Sequence, residues 1–155
     1  MFKYVIPALI AVALCMPATT HAQDLYKCEF RTDGTRGWIS SWAWVHIDDG
    51  KTHVIDGVIR SELDGALLVS PGAPKNSGQP YTWTVKLKSL NQQSFNAKYT
   101  LTLLPEKKNK SSMAMVLNNS RTQREFTRGT CTAQSPISKA RFLSWAKEEA
   151  AGAKN

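Results

Sequence analysis

Tyr81-Thr82-Trp83-Thr84-Val85-Lys86-Leu87-Lys88 and, a short gap later, Phe95-Asn96-Ala97-Lys98-Tyr99-Thr100-Leu101-Thr102-Leu103 decide the fold class. Both stretches alternate apolar and polar residues. Successive strand side chains point to opposite faces, so Tyr81, Trp83, Val85 and Leu87 fall on one face and Thr82, Thr84, Lys86 and Lys88 on the other. One dry face and one wet face is the mark of antiparallel sheet, since the strands of βαβ units are buried on both sides. Tyr26, Cys28 and Phe30 alternate in the same way, and further strands are predicted near 38–47, 52–59, 63–69, 112–118 and 124–132. Asp49-Gly50 and Asn118-Asn119 provide turn chemistry, and SPGAPKNSGQ over 70–79 reads as a loop closed by Pro80.

Outward from this sheet the chain changes character twice. Residues 1–22 carry Lys3, then an apolar run from Val5 to Met16, then Pro17 and a Thr20-His21-Ala22 ending. A charged start, a short apolar core and small residues before the cut are the pattern of an export signal. The expectation is cleavage after Ala22 and a periplasmic or secreted mature chain. At the other end Ser135-Pro136 reads as an N-cap with Pro at the first helical position, followed by ISKARFLSWAKEEAA and a Gly152 able to end a helix. The domains are therefore 1–22 as a signal, 23–134 as an antiparallel β domain, and 135–155 as a C-terminal helix and tail. The fold class is all-β: a meander of about seven or eight strands, barrel or sandwich, with one C-terminal α-helix packed on the sheet.

Cysteine arithmetic favours the barrel. Cys15 leaves with the signal, so Cys28 and Cys131 remain, on the first and last strands. An even pair in an oxidising compartment reads as a disulfide. It closes a loop of about 100 residues, worth roughly 4–5 kcal/mol in the chain-entropy model. A meander whose end strands meet is a closed or nearly closed barrel.

YKC at 26–28, RGW at 36–38 and RGTC at 128–131 resemble an uncharacterised group of short exported bacterial proteins. A barrel followed by a helix resembles the lipocalin-like plan, where only Gly37-Trp38 echoes that family's glycine-aromatic start, at a different distance from Trp. Tyr26-x-Cys28, Ser77-Gly78-Gln79-Pro80-Tyr81 and Cys131 resemble exported inhibitors of C-type lysozyme, small barrels with an SGxxY signature. The stretch from Tyr81 to Cys131 is longer than in those inhibitors, and their tryptophan-lysine-glycine element is missing. The last resemblance implies a lysozyme-inhibitor-like protein as an alternative function.

Three constellations bear on function. With a two-residue Asp49-Gly50 turn, His46 faces His53 across a hairpin, and Asp48 lies on the same face. Two imidazoles and a carboxylate describe a metal site and hence a metal-dependent enzyme. The same residues read equally as polar side chains at a wet hairpin tip, and that reading is preferred: no metal and no cofactor is expected. Secondly, Trp38, Trp42 and Trp44 share one parity of a strand that is apolar on both faces. Such a strand needs a cover, provided by the C-terminal helix or by a ligand on a tryptophan platform. Thirdly, the chain holds 20 Lys and Arg against 12 Asp and Glu. The excess lies in 81–128, which includes Lys107, Lys108, Lys110, Arg121, Arg124 and Arg128. On adjacent hairpins these would form a patch for an anionic envelope component or another protein.

Other classes find no residues to carry them. No run after the signal is long enough to span a membrane as a helix, and no zinc-finger or RNP-like pattern suggests nucleic acid. GxSxG, HExxH and GxxxxGK[ST] are absent. Asp56, on an otherwise apolar parity between Val54 and Val58, is read as half of a structural ion pair, with Arg60 or a strand neighbour. The expectation is a non-enzymatic exported binding domain.

Overall fold

The computed structural model describes residues 23–32, 37–74, 78–88, 93–104, 110–117 (as backbone) and 124–154. The segment 1–22 lies outside them, as do Ser77, Lys107, Lys108, Asn118-Asn119 and Arg121.

Eight strands run β1 Asp24–Phe30, β2 Trp42–Asp48, β3 Lys51–Asp56, β4 Leu67–Pro71, β5 Gln79–Lys88, β6 Ser94–Leu104, β7 Lys110–Leu117 and β8 Arg124–Gln134. Each pairs antiparallel with the next, and β1 pairs with both β2 and β8, so the sheet closes into a barrel. The closure is thinnest at β4, which meets β5 only through Ser70↔Thr82 and Pro71↔Tyr81. Cys28 stands directly opposite Cys131 across the β1–β8 seam, and the two are bonded over a sequence separation of 103. At that seam the β8 backbone comes close to β1: a Cβ on Gly129 would run into the Glu29 carbonyl oxygen.

The alternation sorts the wall as the sequence predicts. Tyr81, Trp83, Val85 and Leu87 on β5, and Ala97, Tyr99, Leu101 and Leu103 on β6, are all buried in the core. Trp83 stacks on Tyr99 at 5.7 Å. The interior is filled by side chains.

Two short departures from the expected strands shape one end. Strand 38–47 begins only at Trp42. Ser40 Oγ donates to the Trp42 carbonyl at 2.7 Å and accepts from Gly57 N at 3.0 Å, holding 38–41 out of the ladder. Strand 52–59 stops at Asp56. The Asp56 carboxylate accepts from Ile59 N at 2.7 Å, and this N-cap starts a six-residue helix, α1, Gly57–Glu62. The sequence reading has no helix there. Ile39 and Ile59, both buried, bring these two departures into the core.

The C-terminal helix, α2, spans Lys139–Ala153. Its N-cap is Ser138, whose side chain accepts from Arg141 N, and not the predicted Ser135. Gly152 lies inside the helix, and Lys154 is the C-cap. Phe142, Ala146 and Ala150 are buried, at spacings of four that make one stripe. That stripe packs on the outside of the barrel against β2 and against α1.

Candidate functional site

The outer faces of the barrel differ in kind on its two sides. On the β1–β3 side, the outward parity carries Leu25, Trp44, His46, His53 and Ile55, and also Lys27, Glu29, Trp42, Asp48 and Lys51. The helix α2 covers the part of this face around Trp44 and His46. On the β5–β8 side, the outward parity carries Thr82, Thr84, Lys86 and Lys88, then Asn96, Lys98, Thr100 and Thr102, then Arg124, Phe126, Arg128 and Thr130. Lys86, Lys88, Lys98, Arg124 and Arg128 are exposed. No carboxylate occupies the outward positions of β5, β6 or β8. The first one met beyond β8 is Glu29 on β1, already paired with Lys27 at 2.8 Å.

Register gives the wall its spacing. Lys98 pairs with Val116, and Val116 with Arg124, so the two cations stand two strands apart, about 10 Å. Arg124 and Arg128 flank Phe126 on the same face, each about 7 Å along the strand. Phe126 is 58% exposed, and the Arg128 guanidinium lies 5.9 Å from its ring centroid. Two cations about 10 Å apart in water repel by about 0.4 kcal/mol per pair, and this repulsion is relieved by an anion laid across them.

Of the predicted basic residues, Arg124 and Arg128 lie on this wall. Lys110 sits on β7 opposite Leu104 and Thr130, while Lys107, Lys108 and Arg121 fall outside the described residues. Sequence reasoning missed Lys86, Lys88, Lys98 and Phe126 as members of the same surface. The signal was present: Cys131 must face inward to meet Cys28, so Arg124, Phe126 and Arg128 must face outward.

The histidine pair forms, but not as a wet tip. His46 stands opposite His53 as the two-residue turn requires, with Asp49 and Gly50 both at positive φ, 49° and 70°. His46 is fully buried and His53 is 8% exposed, because α2 lies over them. The His46 ring stacks on Phe142 at 5.0 Å, and its Nε2–H donates to the Ile137 carbonyl at 2.8 Å. Burial pushes the His53 imidazole below its ordinary value, assisted by His46 and Lys139. Among the described residues no three His, Cys, Asp or Glu side chains gather as a metal would require, Asp48 included.

The three tryptophans do not form a platform. Trp38 lies outside the strand and packs edge-on to Phe95 at 5.4 Å. Arg60 lies over Trp42, with Cζ 5.6 Å from the ring centroid. Trp44 meets Trp145 of α2 at 5.6 Å. The predicted placing of Trp42 beside Gly57 holds in part: a Cβ there would meet Ser40 Oγ at 2.9 Å and Trp42 Nε1 at 3.9 Å.

Asp56 is wholly buried and makes no ion pair with Arg60, which instead faces Glu149 at 3.6 Å. It serves as the cap of α1. Burial raises its carboxyl to about 6, against the pull of the Ile59 and Val58 amides. Burial also raises the nearby Tyr99 phenol, whose hydroxyl donates to the Trp38 carbonyl at 2.9 Å.

Compared with family models, curated proteins and solved structures, the chain matches none. No helix among the described residues is long and apolar enough to cross a membrane.

Proposed function

We propose that this is an exported, non-enzymatic binding domain whose basic wall on β5–β8 engages an anionic component of the cell envelope. The observation that carries the reading is the sign of that wall: five exposed cations and no carboxylate on the outward positions of β5, β6 and β8. A solubilising surface intersperses both signs, whereas a single-sign face raises the local concentration of opposite charge. Export rests on the signal-like 1–22 segment and is compatible with the Cys28–Cys131 bond. Phe126, 58% exposed, offers a partner an apolar contact among the charges.

The test is binding of the mature protein to immobilised heparin and to phosphatidylglycerol vesicles across a salt series. Binding to at least one should fall steeply between low and physiological salt, where the screening length drops to about 8 Å. K98Q/R124Q/R128Q should reproduce the high-salt result at low salt. Indifference to both salt and substitution removes the wall from the binding surface.

A further inference from the structure

The apolar wall opposite the basic one is not fully closed by α2. A groove of about 290 Å³ remains between the helix and the outer face of β1–β2, lined by Leu25, Trp44, Ile137, Arg141, Phe142 and Trp145. Its size is near the lower end for small-molecule sites, about 300 Å³. Arg141 and Trp145 are one helical turn apart on α2, so they line the same edge. Trp44 and Trp145 are each only half-buried although they touch.

Arg141 is the one charged side chain in this lining. Among the described residues it forms no ion pair. The carboxylates nearest in sequence on α2 are otherwise engaged: Glu148 accepts from Ser144 and Glu149 faces Arg60. Asp24 adjoins Leu25 but has the opposite parity on β1, toward Tyr26. Lys139 adds a second cation near the start of the helix. An apolar slot with a single unpaired guanidinium at its edge matches a ligand with an apolar body and one carboxylate head.

The tryptophan geometry narrows the body. A flat aromatic acid is held best between parallel rings, but the Trp44 and Trp145 planes meet at 68°. An alkyl chain follows such a bent apolar wall without needing parallel faces. We infer that the groove under α2 binds a medium-chain aliphatic carboxylate, its chain against Trp44, Phe142 and Trp145 and its head on Arg141. The inference is independent of the basic wall, which lies across the barrel.

The experiment uses decanoate, below its micelle concentration, with the mature protein. Tryptophan emission should change saturably, and the Trp44 and Trp145 indole N–H signals should shift in a two-dimensional NMR spectrum. Decyltrimethylammonium, with the same chain and the opposite charge, should not bind saturably. R141Q should weaken decanoate by about tenfold or more, the worth of a hydrogen bond to a charged group, with the circular dichroism spectrum unchanged. R124Q/R128Q should leave decanoate binding intact, which separates the groove from the wall. Absence of saturable decanoate binding overturns the inference. So does equal binding of the two amphiphiles, an R141Q protein with undiminished affinity, or indole shifts confined to tryptophans other than Trp44 and Trp145.

Discussion

Replacing Asp56 by Asn separates two roles that one side chain holds at once. As an N-cap, Asp56 accepts from Ile59 N at 2.7 Å, and Asn caps about as well as Asp. As a charge, Asp56 is wholly buried, and its Oδ2 has no hydrogen-bond partner among the described residues. Its carboxyl titrates at about 6 in the folded protein against an ordinary value of 3.8. A group whose folded pKa is raised stabilises fully below the unfolded pKa, and that stabilisation is lost as pH rises through the folded pKa. The window here is about pH 4 to 6. At 1.36 kcal/mol per pH unit, the ionised carboxylate costs about 3 kcal/mol at pH 8. D56N keeps the cap and cannot ionise, so it should be more stable than the wild type at pH 8 by up to about 3 kcal/mol. That corresponds to a rise of about 10 °C in Tm. Near pH 4 the advantage should vanish. Urea unfolding of both proteins at several pH values is the assay, and the quantity to plot is their difference, because it cancels the His53 titration common to both. A difference that does not change between pH 4 and 8 would mean that Asp56 does not lose stability on ionising in the folded protein. D56A should be worse than D56N at every pH, by about 1 kcal/mol for the lost cap.

Three further outcomes follow from single features. Reducing the Cys28–Cys131 bond should lower unfolding free energy by up to about 4–5 kcal/mol for a loop of this length, read by urea unfolding with and without reductant. His53 titrates below its ordinary value of 6.5, so it contributes stability above that pH and loses it as pH falls; H53Q should flatten the acid side of the wild-type stability curve, measured as Tm from pH 7.5 to 5. G129A should destabilise severely, since its Cβ would collide with the Glu29 carbonyl oxygen. G152A, with nothing within 4 Å in the last turn of α2, should be neutral or stabilising by up to about 1 kcal/mol; thermal melts of both variants check the contrast.

The sheet was legible because its signal is local and repeated. Alternation in β5 and β6 fixes inside and outside residue by residue, and the two cysteines fix which strands close the ring. What was not legible depended on single hydrogen bonds. Ser40 Oγ draws 38–41 out of β2, and Asp56 turns Gly57 into the start of a helix; neither leaves a periodic trace in the sequence. The site was half legible for a related reason. Period-2 geometry placed His46 opposite His53, but whether that pair is wet depends on where α2 lands, at the far end of the chain. The tryptophans were grouped by parity, yet parity holds only within a strand, and Trp38 is outside it. Lys86 and Lys98 were read as the wet face of strands and not as a surface, because the wall they share with Arg124 and Arg128 emerges only when β7 is laid between β6 and β8.

Phe126 shows how the wall follows from the closure. β8 could in principle pair with β1 one residue out of step, which would turn Phe126 inward and Glu125 and Thr127 outward. Judged by those three side chains alone, that is the better arrangement. It would also turn Arg124 and Arg128 into the barrel, where each unpaired guanidinium would cost several kcal/mol. Exposing the phenyl ring forgoes at most about 1.5–3 kcal/mol. The slip would also separate Cys28 from Cys131 and place a side chain where Gly129 now lies against Glu29. Inward, the observed register is tolerable: Thr127 Oγ1 donates to the Arg31 carbonyl, and Glu125 lies at 9% exposure. The disulfide, the glycine and the two arginines thus select one register, and an aromatic ring held out among cations is its consequence. Selection of that register by folding does not require the ring to be aromatic. F126T should therefore fold as well as the wild type, within about 0.5 kcal/mol by urea unfolding, and any loss of vesicle or heparin binding in it would assign Phe126 to the interface and not to the fold.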